Sequence, residues 1–330
     1  MKRIIISRTD NLGDVILTLP MAGILKQHYP DTKIVFLGKK YTKPIIDACV
    51  YIDEFLDWQE LDKKLESGLR TEAANELKAD AIIHVFPVKK IQKLAKIAGI
   101  PVRIGTSHRS FSWLYCNKLI HYSRKNSNLH EAQLNLKLLQ PLGITREYSL
   151  IEIPGFYGLT RIPTLSNISP PHPGRFNLIL HPKSKGSARE WGTDNYSALI
   201  GLLPEDKFNI FVTGTKEEGD LMKDFLVKHQ NRIHDLTGKL SLAEFLSFIN
   251  DCDGLIAAST GPLHIAAALG KKAIGIYAPM RPIFPARWAP LGPNATYLVL
   301  DKNCNDCRRS LNCTCIRAIT PQQVADKILS

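Results

Sequence analysis

The segment Arg3-Ile-Ile-Ile-Ser-Arg-Thr-Asp-Asn-Leu-Gly-Asp-Val-Ile-Leu-Thr-Leu-Pro20 joins an apolar run to a polar turn and then to apolar residues at helical spacing. The run Arg3–Ser7 predicts a buried strand, and Val15–Tyr29 predicts the helix that follows it. Three further apolar runs predict strands at Lys33–Gly38, Ala79–Phe86 and Val102–Gly105. Strands that alternate with helices of about 10–15 residues are typical of a parallel sheet covered on both faces.

A segment rich in proline, glycine and serine, between about residues 150 and 175, interrupts this alternation, as linkers do. The alternation then restarts, with predicted strands at Asn177–His181, Phe208–Thr213, Gly254–Ala257 and Ala273–Tyr277 and predicted helices at Tyr196–Leu203, Glu217–His229, Leu242–Asn250 and Pro262–Leu269. The sequence therefore predicts an α/β protein with two nucleotide-fold-like halves. We expect domains at 1–160 and 176–330 with a linker at 161–175, and the last helix is a candidate for packing back on the first domain.

The composition of the 330 residues is that of an ordinary globular protein, with 44% hydrophobic and 22% charged residues. It excludes a disordered chain, a collagen-like repeat and a disulfide-dense miniprotein. No apolar run approaches the roughly 18–20 residues that a membrane-spanning helix needs, and the first residues do not resemble a signal peptide. We therefore expect the protein in the cytoplasm.

Positive charge is concentrated in one part of the chain. The formal net charge is +12, and residues 81–130 contain nine lysines and arginines and no acidic residue. Such a stretch attracts polyanions: nucleic acid, anionic lipid or a phosphorylated substrate. The alternative is a solvated basic face that only aids solubility.

The turn after the first predicted strand is a candidate site because ligands of parallel sheets bind where strands end. Gly13 lets the backbone approach a ligand, and the helix N-terminus favours a negative group there. Asp14 is a candidate catalytic carboxylate, although an acid in a first helical turn also complements the helix dipole. The G-x-G-x-x-G dinucleotide fingerprint is absent.

Two later strand-to-helix turns have the chemistry of phosphate sites. His181-Pro-Lys-Ser-Lys-Gly-Ser-Ala-Arg-Glu-Trp191 interleaves hydroxyls and cations, among them Ser184, Lys185 and Arg189, with glycine. This composition suits a diphosphate, and the alternative is a flexible basic loop. In Ser259-Thr-Gly-Pro-Leu-His264, the residues Thr260 and Gly261 open a helix whose free N–H groups form an anion site, and His264 lies on its first turn. We expect the Thr260 side chain to cap this helix.

Three smaller features leave alternatives open. A carboxylate near Gly214-Thr-Lys-Glu-Glu218 could accept both hydroxyls of a ribose, or it could serve the helix dipole. Asp251-Cys-Asp253 stands before a strand, so we interpret it as a loop and not as a metal motif. Cys304, Cys307, Cys313 and Cys315 either bind zinc or pack as reduced thiols.

Several of these segments together resemble glycosyltransferase family 9, the ADP-heptose:lipopolysaccharide heptosyltransferases. Asn11-Leu-Gly-Asp-Val-Ile-Leu-Thr-Leu-Pro20 is similar to the N-terminal signature of that family. Ser259-Thr-Gly-Pro-Leu-His-Ile-Ala-Ala-Ala-Leu-Gly270, followed by Gly275-Ile-Tyr-Ala-Pro279, is similar to its donor-site signature. Leu236-Thr-Gly-Lys-Leu-Ser-Leu242 and the cysteine-bearing tail fit as well, so the resemblance covers most of the chain.

The resemblance implies a GT-B fold, with two Rossmann-like domains whose parallel sheets face a central cleft. It implies that the domain at 1–160 binds the acceptor and the domain at 176–330 the nucleotide-sugar donor. The implied reaction is an inverting, metal-independent transfer of heptose from ADP-heptose to a lipopolysaccharide inner-core acceptor, with no cofactor. The alternative is a GT-B transferase that uses a different nucleotide sugar or acceptor.

The resemblance also implies roles for individual residues. Asp14 matches the general base. The implied donor-binding residues are Ser184, Arg189, Glu218 with Glu217 as a fallback, Leu240, Thr260, Gly261 and His264. The chemistry of the turns adds Gly13 and Lys185 to the candidate donor-binding residues. Ser259 departs from the family, in which an acid precedes the Thr-Gly pair and contacts the donor sugar.

The acid-free stretch then becomes a candidate surface for a phosphorylated lipid A-core acceptor at the inner face of the cytoplasmic membrane. Arg103 and Arg109 are the candidate acceptor-binding residues, and peripheral membrane association follows from the same reasoning. A nucleic-acid-binding protein would fit the charge alone, but the stretch lacks an aromatic-rich basic motif. We therefore expect no specific nucleic-acid partner.

Overall fold

The computed structural model describes residues 1–124, 127–164, 173–281, 283–302, 304 and 312–330. It divides into two units, Met1–Arg161 and Ile162–Ser330. Both units consist of a parallel six-stranded sheet with helices, so the α/β fold with two Rossmann-like domains is confirmed.

The first sheet is built around β1 (Arg3–Ser7), whose residues Ile4, Ile5 and Ile6 are fully buried. A strand covered on both faces requires apolar side chains throughout, which explains the unbroken run. The other strands are β2 (Lys33–Gly38), β3 (Glu54–Asp57), β4 (Ala81–His84), β5 (Val102–Thr106) and β6 (Lys118–Ile120). Their order is β3-β2-β1-β4-β5-β6, with Ser7 opposite Leu37 of β2 and His84 of β4.

The helices of the first unit are α1 (Leu12–Ile16), α2 (Pro20–His28), α3 (Lys43–Ala48), α4 (Trp58–Glu66), α5 (Arg70–Glu76), α6 (Lys89–Ile97), α7 (Ser110–Tyr115) and α8 (Glu131–Leu136). Short 3₁₀ helices lie at Lys40–Thr42, Lys137–Leu142 and Ile153–Phe156. The single helix predicted over Val15–Tyr29 is wrong: α1 ends at Ile16 and α2 begins at Pro20. Proline has no N–H to continue the hydrogen-bond ladder, but it suits the first position of a new helix.

The second sheet repeats the order of the first. Its strands are β7 (Phe176–His181), β8 (Phe208–Val212), β9 (Ile233–Asp235), β10 (Gly254–Ala258), β11 (Lys272–Tyr277) and β12 (Ala295–Val299), in the order β12-β11-β10-β7-β8-β9. The central strand of each sheet is therefore the first of its unit, flanked by the second and the fourth, as in a Rossmann fold.

The helices of the second unit are α9 (Thr193–Leu202), α10 (Lys216–Leu221), α11 (Lys223–Lys228), α12 (Leu242–Asp251), α13 (Gly261–Ala268), α14 (Pro285–Trp288), α15 (Thr314–Arg317) and α16 (Pro321–Leu329). The helix predicted over Glu217–His229 is interrupted at the buried Met222, whose backbone is not helical. The last helix, α16, packs on α9 and β11 of its own unit. Its buried residues Val324, Ala325 and Ile328 join the core of that unit.

In the described part of the chain, no helix combines the length and the apolar character that crossing a bilayer would require.

Candidate functional site

Asp14 lies at the carboxyl edge of the first sheet, where the sequence predicts a site. Strand β1 ends at Ser7, the chain turns, and α1 begins after the extended N-cap residue Asn11. Gly13 and Asp14 therefore occupy the first turn of α1. The side chain of Asp14 is 14% exposed, so it is largely withdrawn from water yet reachable.

Arg8 is the principal partner of Asp14, and the sequence reasoning missed it. Its side chain is only 3% exposed, and its guanidinium forms ion pairs with three carboxylates. These belong to Asp14, to Asp10 at 2.6 Å and to Glu131 of α8 at 3.3 Å. A buried cation requires such compensation because its desolvation is costly.

Glu131 links Arg8 to a second arginine. It is fully buried at the start of α8, and its Oε1 also accepts from Nε of Arg124 at 3.0 Å. Both guanidinium groups donate to Oδ1 of Asn135, at 3.3 Å from Arg8 and 3.2 Å from Arg124. Asn135 in turn donates to the Leu17 carbonyl at 3.1 Å. This network connects both ends of α1, through Asp14 and Leu17, to α8.

The burial and the charges of the network together raise the pKa of Asp14. Burial raises the pKa of Asp14 to about 6, and the negative charges of Asp10 and Glu131 act in the same direction. The positive charge of Arg8 opposes them and lowers the pKa. A carboxylate that titrates just below neutral pH is ionised at pH 7 and is a stronger base than an ordinary aspartate.

The candidate residues of the second unit follow three neighbouring strands. Ser184 follows β7, Glu218 follows β8, and Thr260 follows β10. These strands are adjacent in the order β10-β7-β8 at the centre of the sheet. Because the carboxyl ends of parallel strands meet at one edge, the three turns lie along the same edge of the unit.

The loop after β7 is held in shape by Glu190, which sequence reasoning did not select. Its carboxylate accepts from the Ser184 backbone N–H at 3.2 Å and from the Lys183 ammonium at 3.0 Å. The Ser184 hydroxyl donates to the Ala188 carbonyl at 3.0 Å. Lys185 has a φ of 48°, the left-handed region that non-glycine residues rarely occupy. The Lys185 side chain is exposed.

Glu218, the candidate ribose-binding carboxylate, also caps a helix. It forms a capping box in α10, in which its Oε2 accepts from the Thr215 N–H at 2.8 Å. Glu218 is buried, whereas the fallback Glu217 is exposed. A carboxylate has further acceptor capacity, so capping is compatible with a ribose contact. Leu240 is half-buried just before α12.

His181, the last residue of β7, lies at the same edge and was not among the predicted site residues. Its Nδ1 is 2.9 Å from the Thr213 hydroxyl, and its ring stacks on Phe245 with centroids 6.1 Å apart. Burial lowers the pKa of His181 to about 4, so the ring is neutral at physiological pH. The signal available in the sequence was its position at the end of a strand.

The turn after β10 places Thr260 as the N-cap residue of α13. The prediction that its side chain caps the helix is wrong. The Thr260 side chain makes no hydrogen bond to the helix, and its Oγ1 is buried with no partner in the described part of the chain. An unpaired buried hydroxyl costs free energy and is common where a ligand completes the site. Gly261 begins α13, and His264 is buried on its first turn.

Arg103 and Arg109 lie at opposite ends of β5. Arg103 is near the amino end of β5, and its guanidinium donates to the Tyr115 carbonyl at 2.7 Å and to the Ile100 carbonyl. Arg109 is exposed beyond the carboxyl end, as the N-cap residue of α7. The two are not brought together. The acceptor role of each stays a prediction, and the position of Arg109 suits it better.

The cysteine cluster is only partly described, because Cys307 lies outside the described residues. Cys304, Cys313 and Cys315 are buried in the core of the second unit, and burial and the neighbouring thiols raise the pKa of Cys315. Within the described ranges, no group of three or more His, Cys, Asp or Glu side chains is arranged to hold a metal ion. Zinc binding by the four cysteines stays a prediction.

Comparisons with known proteins point to one family. The family model described as glycosyltransferase family 9 (heptosyltransferase) matches residues 75–315. The chain is 22% identical over 330 residues to lipooligosaccharide heptosyltransferase 2 of Campylobacter jejuni, covering 96% of this chain and 95% of that protein. It is 21% identical over 288 residues to lipopolysaccharide heptosyltransferase 3 of Escherichia coli, covering 84% of each.

Solved structures share the fold. The family 9 glycosyltransferase of Veillonella parvula superposes with a TM-score of 0.79 at 20% identity, covering 99% of this chain and 96% of that one. An E. coli heptosyltransferase in complex with ADP-2-deoxy-2-fluoro heptose gives a TM-score of 0.73 at 19% identity, covering 99% of both chains.

Proposed function

This chain belongs to glycosyltransferase family 9, the heptosyltransferase family, and we propose that it moves heptose from ADP-heptose to a phosphorylated inner-core acceptor of lipopolysaccharide. The chain is a glycosyltransferase with two Rossmann-like domains of the GT-B type. The acceptor class is supported by relatives named as lipopolysaccharide and lipooligosaccharide heptosyltransferases. The donor is supported by the ADP-sugar analogue named in the E. coli complex.

The observation that carries the proposal is the buried Asp14 carboxylate held by Arg8. Asp14 accepts the proton of the acceptor hydroxyl as the oxygen attacks the anomeric carbon. One new C–O bond forms, the bond from that carbon to the diphosphate breaks, and its electron pair leaves with ADP. A single displacement of this kind inverts the anomeric centre.

The leaving diphosphate gains negative charge, and the second unit offers groups that stabilise it. The free N–H groups of α13 begin at Gly261, and the unpaired Thr260 hydroxyl lies beside them. Lys185 and Arg189 supply positive charge. They belong to the Ser184 loop, in which Ser184 is hydrogen-bonded to Glu190 and Ala188. Preorganised donors and cations of this kind lower the barrier, and we propose that they serve where other transferases use a metal ion.

We assign acceptor binding to residues 1–160 and donor binding to residues 176–330, joined by the segment 161–175. The acid-free stretch 81–130 belongs to the acceptor part and favours a phosphorylated partner. Because that acceptor is anchored in lipid, we also propose that the enzyme works peripherally at the inner face of the cytoplasmic membrane.

A transferase for a different nucleotide sugar or acceptor is the second candidate, and Ser259 favours it. Ser259 is half-buried immediately before Thr260. A hydroxyl at this position recognises sugar hydroxyls differently from a carboxylate, which accepts strong charge-assisted hydrogen bonds.

A mass-spectrometric assay distinguishes the two candidates. The full chain is incubated with lipopolysaccharide lacking heptose and with ADP-heptose, ADP-glucose or UDP-glucose in parallel. We expect a mass gain of one heptose with ADP-heptose alone. Transfer of another sugar in preference to heptose would support the second candidate, and the absence of heptose transfer would contradict the first.

A further inference from the structure

Trp113 and Leu114 project from α7 into solvent. Trp113 is 60% exposed and Leu114 is 65% exposed. The Trp113 indole is held in place, because its Nε1 donates to the Ser107 carbonyl at 3.0 Å and its ring lies 5.8 Å from the ring of His121. Single exposed apolar residues are ordinary on protein surfaces, but two adjacent ones, of which the tryptophan is held by a hydrogen bond, require a further observation to explain them.

The further observation is the charge around this pair. Lys96 of α6 donates to the Leu114 carbonyl at 3.0 Å, with its ammonium 5.9 Å from the centre of the Tyr115 ring. Arg109, the N-cap residue of α7, and Lys118, the first residue of β6, flank the pair along the chain and are exposed. Over the part of the chain that is described, these three cations take part in no ion pair. No acidic residue occurs anywhere in residues 81–130.

We propose that Trp113, Leu114, Lys96, Lys118 and Arg109, which we call the Trp113 patch, dock the enzyme on an anionic lipid bilayer. This proposal rests on the proposed function in so far as the acceptor is a lipid, and it specifies which surface meets the membrane. Trp113 and Leu114 enter the interfacial layer, and the cations contact the lipid phosphates.

Each component of the patch has a physical role at such an interface. Tryptophan concentrates at the boundary of a bilayer because its ring is apolar and its N–H is polar. Lysine places its apolar stem on the acyl boundary and its ammonium among the headgroups. Each basic side chain near an anionic surface strengthens binding about fivefold, so three of them give roughly a hundredfold preference over a neutral surface.

Another exposed apolar pair in the second unit lacks this context and provides a matched control. Leu221 of α10 and Val227 of α11 are 75% and 56% exposed. Glu217, Asp220 and Asp224 belong to the same two helices, so positive and negative charges are mixed there. We therefore expect no preferential binding of an anionic membrane to Leu221 and Val227.

The test measures binding of the full chain to vesicles with no sugar donor and no acceptor present. Vesicles of phosphatidylcholine alone are compared with vesicles that contain about one-third phosphatidylglycerol. We expect flotation with the anionic vesicles and at least tenfold weaker binding to the neutral ones. The double variant Trp113→Ser/Leu114→Ser should lose at least tenfold of the anionic binding, and so should Lys96→Glu/Lys118→Glu. Leu221→Ser/Val227→Ser should bind as the wild type does.

Tryptophan fluorescence of the unmodified protein provides a measurement that no folding defect can affect. Addition of anionic vesicles should shift the emission to shorter wavelength, and brominated lipid should quench it. Wild-type affinity in the Trp113→Ser/Leu114→Ser variant, or equal binding to both vesicle types, would contradict the proposal that the Trp113 patch docks the enzyme on an anionic bilayer. An enzyme that binds vesicles but transfers no sugar would overturn the proposed function and leave the patch intact.

Discussion

The Arg8 guanidinium forms an ion pair with the Asp14 carboxylate, and both groups are withdrawn from water. Burial favours the neutral acid, whereas Arg8 favours the carboxylate, and the balance places the pKa of Asp14 at about 6. The same guanidinium is held from the other side by Glu131 of α8. The pair therefore gives Asp14 both a fixed position and a basicity suited to neutral pH.

Replacement of Asp14 by asparagine should reduce turnover by about 10²- to 10⁴-fold, because the amide keeps the shape of the carboxyl group but cannot accept the proton. Affinity for ADP, measured by calorimetry, should stay within roughly twofold, since the donor residues belong to the second unit. Turnover close to the wild-type value would remove the assignment of Asp14 as the base.

Turnover should depend on pH through Asp14. The carboxylate is the active form, so kcat should be constant above pH 7 and should fall as the pH drops through about 6. Arg8→Met removes the charge that lowers this pKa, while Asp10, Glu131 and Tyr41 remain nearby. The inflection should therefore move to higher pH in the variant. Carbon-13 NMR titration of Asp14 checks the shift without an assay, and an unchanged or lower inflection would contradict the role of Arg8.

Glu131→Gln should destabilise the protein by about 3–5 kcal/mol, because Arg8 and Arg124 would lose the buried carboxylate that they share. The control is Glu147→Gln, which breaks the pair with Lys137 at a side chain that is 81% exposed. Surface pairs of that kind contribute little, so this variant should unfold like the wild type. Thermal and urea unfolding measure both, and equal stability of the two variants would contradict the prediction.

Thr260→Val should weaken ADP binding by about 5- to 20-fold without lowering stability. Valine keeps the shape of threonine and removes a buried hydroxyl that makes no hydrogen bond in the described structure. Calorimetry with ADP and the thermal midpoint of the free protein are the two measurements. Thr260→Ser keeps the hydroxyl and should retain most of the affinity. If valine left ADP binding unchanged, the hydroxyl would not contact the donor.

Arg109→Glu should raise the acceptor KM and leave both ADP affinity and stability unchanged, because Arg109 is exposed beyond the carboxyl end of β5. Arg103→Ala should instead lower the thermal midpoint, because it removes hydrogen bonds to the Tyr115 and Ile100 carbonyls. A rise in acceptor KM for Arg103→Ala, with no loss of stability, would support an acceptor contact by Arg103.

The central strands were predictable and the outer strands were not, for a physical reason. β1, β2, β7 and β10 have neighbours on both sides and are buried, so they appear in the sequence as unbroken apolar runs. The strands missed by the prediction are the edges of the two sheets: β3, β6, β9 and β12. Most residues of these edge strands are only half-buried or are exposed, so their sequences mix polar and apolar residues.

Local sequence patterns were enough to predict the alternation of strands and helices, the division into two α/β units and the strand-to-helix turns with Asp14, Ser184 and Thr260. These properties depend on neighbouring residues: apolar periodicity, proline, glycine and the polarity of a turn.

The tertiary structure alone decided how these residues are held. It brought Glu131 to Arg8 across 123 positions of the chain, and it placed Asn135 against both Arg8 and Arg124. Contacts of this kind depend on how strands are ordered and how helices pack against them, and periodicity along the chain carries no record of that order.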